Sequence, residues 1–571
     1  MTLNTSSGSK TPSARSGPRR PLSLSRRSFT WRAADWAEEP AGLLPTVLPD
    51  GGARRRRLLS LWPLLVVLAV QAGLSLRLLW ADTASQSEAL YLRAGHLEWA
   101  NWLHGVPIPL YPKYFSGAPV IYPPIGAVAD SIGGLAGARV LSLAFMLGAT
   151  ILLWSTTGRL FGRRASFFAS ALFALLGTTL HLGAFATYDA MSVFLVALAA
   201  WCVIRPGARG PATGWMLAGA ALLALANVAA YTTLLFDPLI VALALLTSPW
   251  TSRGLLAARR AGTVLVGTAA LLGLVVAADR SDYLGGFERT MVTPVAGSAS
   301  AQSVLGQSWY WAGLLLVLAV SGVVISVASR QAAAQSVLLV FVTAALIFGP
   351  LEQAHLHTVA SLNHHVGLGA WFAAIAAGYA VDRLIAAAPA GQSRTMTCGA
   401  CVVALVFPAY LGLTQSRAIS SDWPNASDFL AVIGPLADHA SGPLLVEDPA
   451  VAEYYLPAGA QWQRWSSTRN ITLPAGTYTG GPGSGTSVTG AGNAPVYASY
   501  IARGYFSLVA LNFTDTTGLD RQIAADLRRN PHYHVVQVVP YGIEIPPVGQ
   551  GSYVIWQYQA STKQTGYTPN R

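Results

Sequence analysis

"LLWADTASQSEALYLRAGHLEWANWLHG" runs from Leu78 to Gly105 and closes an apolar run, Leu58–Trp80. A run of about 20 apolar residues matches the hydrocarbon thickness of a bilayer, so it reads as a membrane-spanning helix. The chain then presents Asp82 and Glu88 at once, together with His96, Glu98 and three tryptophans. Ser85-x-x-Glu88 fits a capping box, in which the Glu88 side chain bonds the first free amide of a helix. Carboxylates also suit helix N-termini through the dipole. The alternative is that one of these acids belongs to a catalytic centre at the membrane surface. A capping acid can still face a cavity, so the two readings do not exclude each other.

Composition supports the membrane reading. Hydrophobic residues make up 53% of the 571 and charged residues 11%. That is too little charge to cover a soluble protein of this size. The hydropathy pattern predicts about eleven spans, near 58–80, 139–157, 165–181, 189–204, 212–230, 232–248, 261–279, 309–329, 334–351, 365–387 and 395–413. Basic residues set the orientation. Arg54–Arg57 precede the first span, and "GRLFGRR" (158–164), "RPGARG" (205–210) and "SRGLLAARR" (252–260) fall on the same side. The positive-inside rule makes that side cytoplasmic, and an odd span count puts everything after about residue 414 outside.

The chain divides into three parts. Residues 1–57 hold 11 Lys+Arg and 4 Asp+Glu, lack periodicity and read as a disordered basic cytoplasmic tail. Residues 58–413 form the multi-span part, with a long outer loop at 82–138. Residues 414–571 read as an extracytoplasmic α/β domain. Strand signals occur at 443–448, 506–513, 533–539 and 551–559, and helix signals at 449–456 and 519–530. "TGGPGSGTSVTGAGN" (479–493) reads as a flexible loop and lacks the ending of a phosphate loop. The net charge of +12 is mostly a topology signal, and because the basic residues stop at the membrane, nucleic acid is not a partner. Cys202, Cys398 and Cys401 lie in predicted spans and read as buried small residues.

Several segments resemble a known family. They are "SEALYLRAGHLEWANWLHG", "YFSGAPVIYPPIGAVADSIGGLAGARVLSLAFMLGATILLW", "GAFATYDAMSVFLVALAAW" and "QAHLHTVASLNHHVGLGAWFAAIAAGYA". They are similar to bacterial membrane glycosyltransferases of C-type fold, in the dolichyl-phosphate-mannose–protein mannosyltransferase and aminoarabinose transferase group. The resemblance covers most of 58–413. It implies a polytopic α-helical enzyme of the plasma membrane. Such an enzyme moves a sugar from a polyprenyl-phosphate donor to an extracytoplasmic acceptor, which is a protein, a lipid or a cell-wall glycan.

The chemistry needs a base for the acceptor hydroxyl. It also needs positive charge, or a divalent metal ion, for the departing phosphate. The family usually carries an Asp-Glu pair where this chain has Ser87-Glu88. Three outcomes stay open: Glu88 takes the base's place, Asp82 reaches in, or activity is lost. Asp189 in "ATYDA" is the second candidate acid, at the outer end of the fourth span. On residues alone it reads as an N-cap. His357, His365 and His364 in "EQAHLHTVASLNHH" are expected at the donor phosphate by resemblance, and Arg280 and Arg289 could supply further charge there. His364 stands where a lysine is common in relatives. Two other functions compete. One is a transporter or flippase, for which Asp237 beside Pro238 is the sequence evidence. The other is a catalytically inactive glycan-binding paralogue.

Overall fold

The computed structural model describes residues 61–559 apart from 110, 114, 207–211, 249–253, 293–296, 298, 360, 458–460, 469, 473–486, 490–493, 515 and 543–549. The basic tail (1–57) and most of the Gly-rich loop (479–493) lie outside the described residues.

Helices make up the N-terminal two thirds. They are α1 (Trp62–Leu76), α2 (Gln86–His104), α3 (Tyr122–Phe161), α4 (Arg163–Ala174), α5 (Gly177–Leu182), α6 (Tyr188–Ile204), α7 (Thr213–Ala229), α8 (Asp237–Leu246), α9 (Gly254–Ala278), α10 (Arg280–Phe287), α11 (Ala301–Ala328), α12 (Ala333–His355), α13 (Leu362–Ala387), α14 (Gln392–Ala404) and α15 (Val406–Ile419). A 3₁₀ turn, Tyr231–Phe236, joins α7 to α8. Among the described residues six segments are long and apolar enough to cross a membrane: α3, α9, α11, α12, α13 and the pair α14–α15. Four shorter apolar segments are α1, α6, α7 and the stretch 231–246. The chain is therefore a multi-pass helical membrane protein. The predicted span at 165–181 is broken: Leu176 takes an extended conformation between α4 and α5. Gly412 occupies that break, where a Cβ would lie 1.8 Å from the Leu175 carbonyl oxygen. Only glycine allows this approach.

α13 is the hub. It is buried along nearly its whole length, and its alanines and glycines let neighbours approach closely. A Cβ on Gly378 would meet the Ala165 carbonyl at 2.5 Å, and one on Gly369 would meet that of Ala345 at 2.5 Å. α9 and α14 lie at the periphery: α9 buries few residues and α14 none. α3 is kinked at Gly133–Gly134, with Gly134 at φ 60°. Its first stretch, Tyr122–Ile132, thus turns away from the long inner stretch and packs on α2.

The C-terminal part contains a sheet. Its strands are β1 (Leu444–Val446), β2 (Trp465–Ser467), β3 (Asn470–Thr472), β4 (Ser487–Thr489), β5 (Leu508–Leu511), β6 (Tyr533–Gly542) and β7 (Gln550–Tyr558). The main sheet has the order β2-β1-β5-β7-β6, parallel from β2 to β5 and antiparallel beyond, and β3 and β4 form a separate pair. Helices α16 (Ser427–His439), α17 (Pro449–Tyr455), α18 (Ala494–Ala502) and α19 (Thr517–Arg529) pack around it. Two apolar clusters fill its faces, one around Phe506, Val509 and Trp556, the other around Phe429, Val446 and Ile555. The alternation of strand and helix expected for this region is present, but α16, α18 and the short strands β2–β4 had no clear sequence signal.

Candidate functional site

The stretch after α1 is fixed by Ser85 and Glu88, which form both halves of the capping box. Ser85 Oγ accepts from the Glu88 N–H at 3.2 Å, and Glu88 Oε2 accepts from the Ser85 N–H at 3.1 Å. Glu88 has further partners. Arg139 of α3 donates Nε to Oε1 and Nη2 to Oε2, both at 2.8 Å. The Ala186 N–H donates to Oε1, also at 2.8 Å. Glu88 is fully buried and Arg139 is 2% exposed. The remaining Arg139 donors go to the carbonyls of Leu79 (2.7 Å), Asp82 (3.1 Å) and Thr83 (3.3 Å). All five guanidinium N–H groups are thereby used. This clasp ties together the end of α1, α2, α3 and the loop before α6.

This geometry gives Glu88 a structural task, which the general-base expectation did not include. Its two oxygens already accept from four N–H groups, and it is not among the residues lining the cavity at Asp189. Asp82 also lies apart. Its Oδ1 accepts from the Thr83 N–H at 2.7 Å, and burial holds its carboxyl above the usual range. Ser87 is exposed.

Asp189 behaves differently. Thr187 is the N-cap, so Asp189 belongs to the first turn of α6 and is not the cap itself. Its Oδ2 accepts from the Thr187 hydroxyl at 2.7 Å and pairs with His364 Nδ1 at 3.0 Å. Asp189 and His364 border a small cavity of about 20 Å³, together with His365, Ser192, Thr232 and Thr233. The walls come from the start of α6, the 3₁₀ turn 231–236, Gly349 of α12 and the start of α13. A Cβ on Gly349 would lie 2.5 Å from that of His365, so α12 passes directly against the histidine turn. A cavity joining Glu88 to Asp189 was expected. The two are linked instead through the backbone: the Ala186 amide held by Glu88 lies three residues before Asp189, just ahead of α6.

The remaining sequence candidates divide. His365 borders the cavity, with Glu352 Oε2 3.5 Å from its Nδ1. His357 is outside it, with φ 54° and its Nδ1 3.0 Å from the Ala299 carbonyl. Arg289 is exposed on the turn Glu288–Val292, which packs against the 3₁₀ turn 231–236. Arg280 opens α10 and is exposed. Asp237 is accounted for locally, since Asn227 Nδ2 donates to both of its oxygens at 3.1 and 2.9 Å.

Among the described residues no three His, Cys, Asp or Glu side chains converge as a metal site. Asp189 Oδ2 is engaged by His364 and Thr187. The residues present do not form a divalent-metal cage.

Sequence reading passed over Arg139 and His181. An arginine inside the apolar "GLAGARVLSLAF" is itself a signal, because a charge at that depth requires a partner. It also passed over the docking of the C-terminal part on α2. The α17 helix lies along α2, where Arg93 Nε donates to Glu453 at 3.2 Å and the Ala84 N–H donates to the Tyr455 hydroxyl at 2.8 Å. Tyr454 donates to Asp130 Oδ1 at 2.5 Å, while His96 Nε2 lies 2.7 Å from Asp130 Oδ2. Gln86 bonds Asp448, and Trp423 donates to the Thr83 carbonyl at 3.0 Å.

Residues 130–278 match the family described as dolichyl-phosphate-mannose-protein mannosyltransferase. No curated protein matches the chain. Solved structures with the same arrangement include ArnT from Cupriavidus metallidurans bound to undecaprenyl phosphate, at 16% identity and TM-score 0.54, covering 87% of this chain and 98% of that one. The archaeal oligosaccharyltransferase AglB from Archaeoglobus fulgidus, in complex with an inhibitory peptide and a dolichol-phosphate, matches at 13% identity and TM-score 0.52. That match covers 90% of this chain and 75% of AglB. The chain thus has the fold of the C-type membrane glycosyltransferases.

Proposed function

We propose that the chain transfers a sugar from a polyprenyl-phosphate donor to an acceptor hydroxyl on the extracytoplasmic face of the plasma membrane. The observation that carries this reading is the cavity bordered by Asp189, His364 and His365. It combines a carboxylate, two imidazoles and three hydroxyls in a largely apolar wall, at the ends of helices and not at their midpoints. Sugar transfer needs this set: groups to orient hydroxyls, a proton acceptor and donors for a phosphate oxygen.

Asp189 is the central carboxylate. His365 faces the donor phosphate, and the turn that carries Arg289 packs against 231–236. Exposed Trp99, Trp102 and Leu103 at the end of α2 suit an interfacial helix. The contact of α17 with α2 keeps the C-terminal domain on the side of the outer loop 82–138. The Arg-rich ends at Arg163–Arg164 and Arg205 support the opposite side as cytoplasmic. The transport reading loses its main support, because Asp237 is held by Asn227 at the start of α8.

The test is purified full-length protein incubated with a panel of polyprenyl-phosphate sugars and hydroxyl acceptors. Acceptor-dependent release of free polyprenyl phosphate is expected with one donor. No release with any donor would leave the inactive glycan-binding paralogue as the better reading.

A further inference from the structure

The acceptor proton still needs a destination. Glu88 accepts from four N–H groups and is sealed from the cavity. Ser87 has no basic atom. Asp189 faces the cavity, but its Oδ2 is held by the Thr187 hydroxyl and by His364 Nδ1. That second contact decides the chemistry of the imidazole. A neutral ring that donates from Nδ1 carries its lone pair on Nε2. A carboxylate on Nδ1 therefore fixes the tautomer in which Nε2 is the base, and it stabilises the imidazolium once a proton arrives.

The ring is also held by packing. His181 lies nearly parallel to it, with centroids 6.2 Å apart, and Phe185 contacts it at 5.6 Å. His181 is fixed in turn, its Nδ1 3.0 Å from Ser420 Oγ. A proton acceptor held on several sides beside an open volume is pre-organised for transfer.

We propose that His364 is the general base of the transfer and that Asp189 is its positioning residue. The proposal rests on the transferase reading and names the atom which that reading leaves unassigned. The acceptor O–H proton goes to His364 Nε2. The acceptor oxygen's electron pair forms the new bond to the anomeric carbon. The bond from that carbon to the phosphate oxygen breaks, and its electron pair leaves with the polyprenyl phosphate. The imidazolium is held against Asp189 until product departs, and its proton then passes to water.

The test uses His364→Asn in the full-length protein. Asparagine Nδ2 stands close to where Nδ1 stood, so it can still donate to Asp189, but nothing replaces Nε2. The expected result is a fall in kcat of roughly 10²–10⁴-fold, with the donor KM and the melting temperature close to wild type. Imidazole added to His364→Gly should restore part of the rate. A second measurement does not depend on turnover. Diethyl pyrocarbonate followed by mass spectrometry should modify His364 in the wild type, because its side chain lines the cavity and is 14% exposed. Retention of more than about a tenth of kcat by His364→Asn would overturn the proposal and move the base to Asp189 itself. An unmodified His364 beside a modified His365 would overturn it as well. If the wild type transfers nothing while His364 is modified, the transferase reading fails first, and the assignment falls with it.

Discussion

Glu88 and Asp189 each lie in the first turn of a helix, each behind a hydroxyl residue, and on sequence alone they have the same bland explanation. Their surroundings differ completely. Glu88 meets one guanidinium and two backbone amides, that of its own helix cap and that of Ala186, and is fully buried. Asp189 meets a hydroxyl and an imidazole, and it borders a cavity. An acid paired with a permanently charged arginine and saturated with donors holds elements together. An acid paired with a titratable group beside open space can take part in proton movement. Partners, and not helix position, separate the two.

The comparison breaks most sharply in activity. Asp189→Asn should lower kcat by roughly 10²–10⁴-fold while the protein still folds and extracts normally in detergent. An active Asp189→Asn protein would return the search for the acid to Asp82 and Glu88.

Glu88→Gln should do the reverse. Removing one partner of a buried ion pair leaves a guanidinium uncompensated, at a cost of about 3–5 kcal/mol. A lower melting temperature and yield are expected, with the rate per folded molecule within about tenfold of wild type. A stable Glu88→Gln protein with no activity would restore Glu88 as the base.

A third acid gives the smallest effect. Burial lifts Glu453, at the contact of α17 with α2, from its usual 4.5 to about 7, and Arg93 opposes this only in part. The folded protein thus keeps a proton that the unfolded chain releases between those values. The stability that Glu453 contributes is full below about pH 4.5 and is lost as pH rises to about 7. Thermal melts across this interval should show the slope in wild type, and Glu453→Gln should flatten it. An unchanged slope would mean that other groups set it.

The fold was largely legible because lipid imposes length and apolarity on each helix, and both can be read from one sequence. The break at Leu175–Leu176 was not, because what packs into it is a glycine on a distant helix, Gly412. For the site, the sequence singled out Asp189 and the histidine pair, and the structure brings them together. It also singled out Glu88, but nothing local reveals that Arg139, 51 positions later, faces it. Arg280 and His357 were credible by charge and resemblance, but their direction depends on loop geometry that no periodicity encodes.

The arginine of the clasp has a consequence for assembly. Every acceptor of Arg139 lies earlier in the chain than Arg139 itself. During synthesis the outer connection can therefore lock once α3 has been made, before any cavity wall exists. The Ala186 amide arrives later and finds a finished carboxylate waiting for it. The order of manufacture would make the first outer turn a template on which the Asp189 helix is later registered. A ribosome-bound chain ending after Arg205 should already protect Thr83–Ser87 from protease, and the same chain carrying Arg139→Met should not.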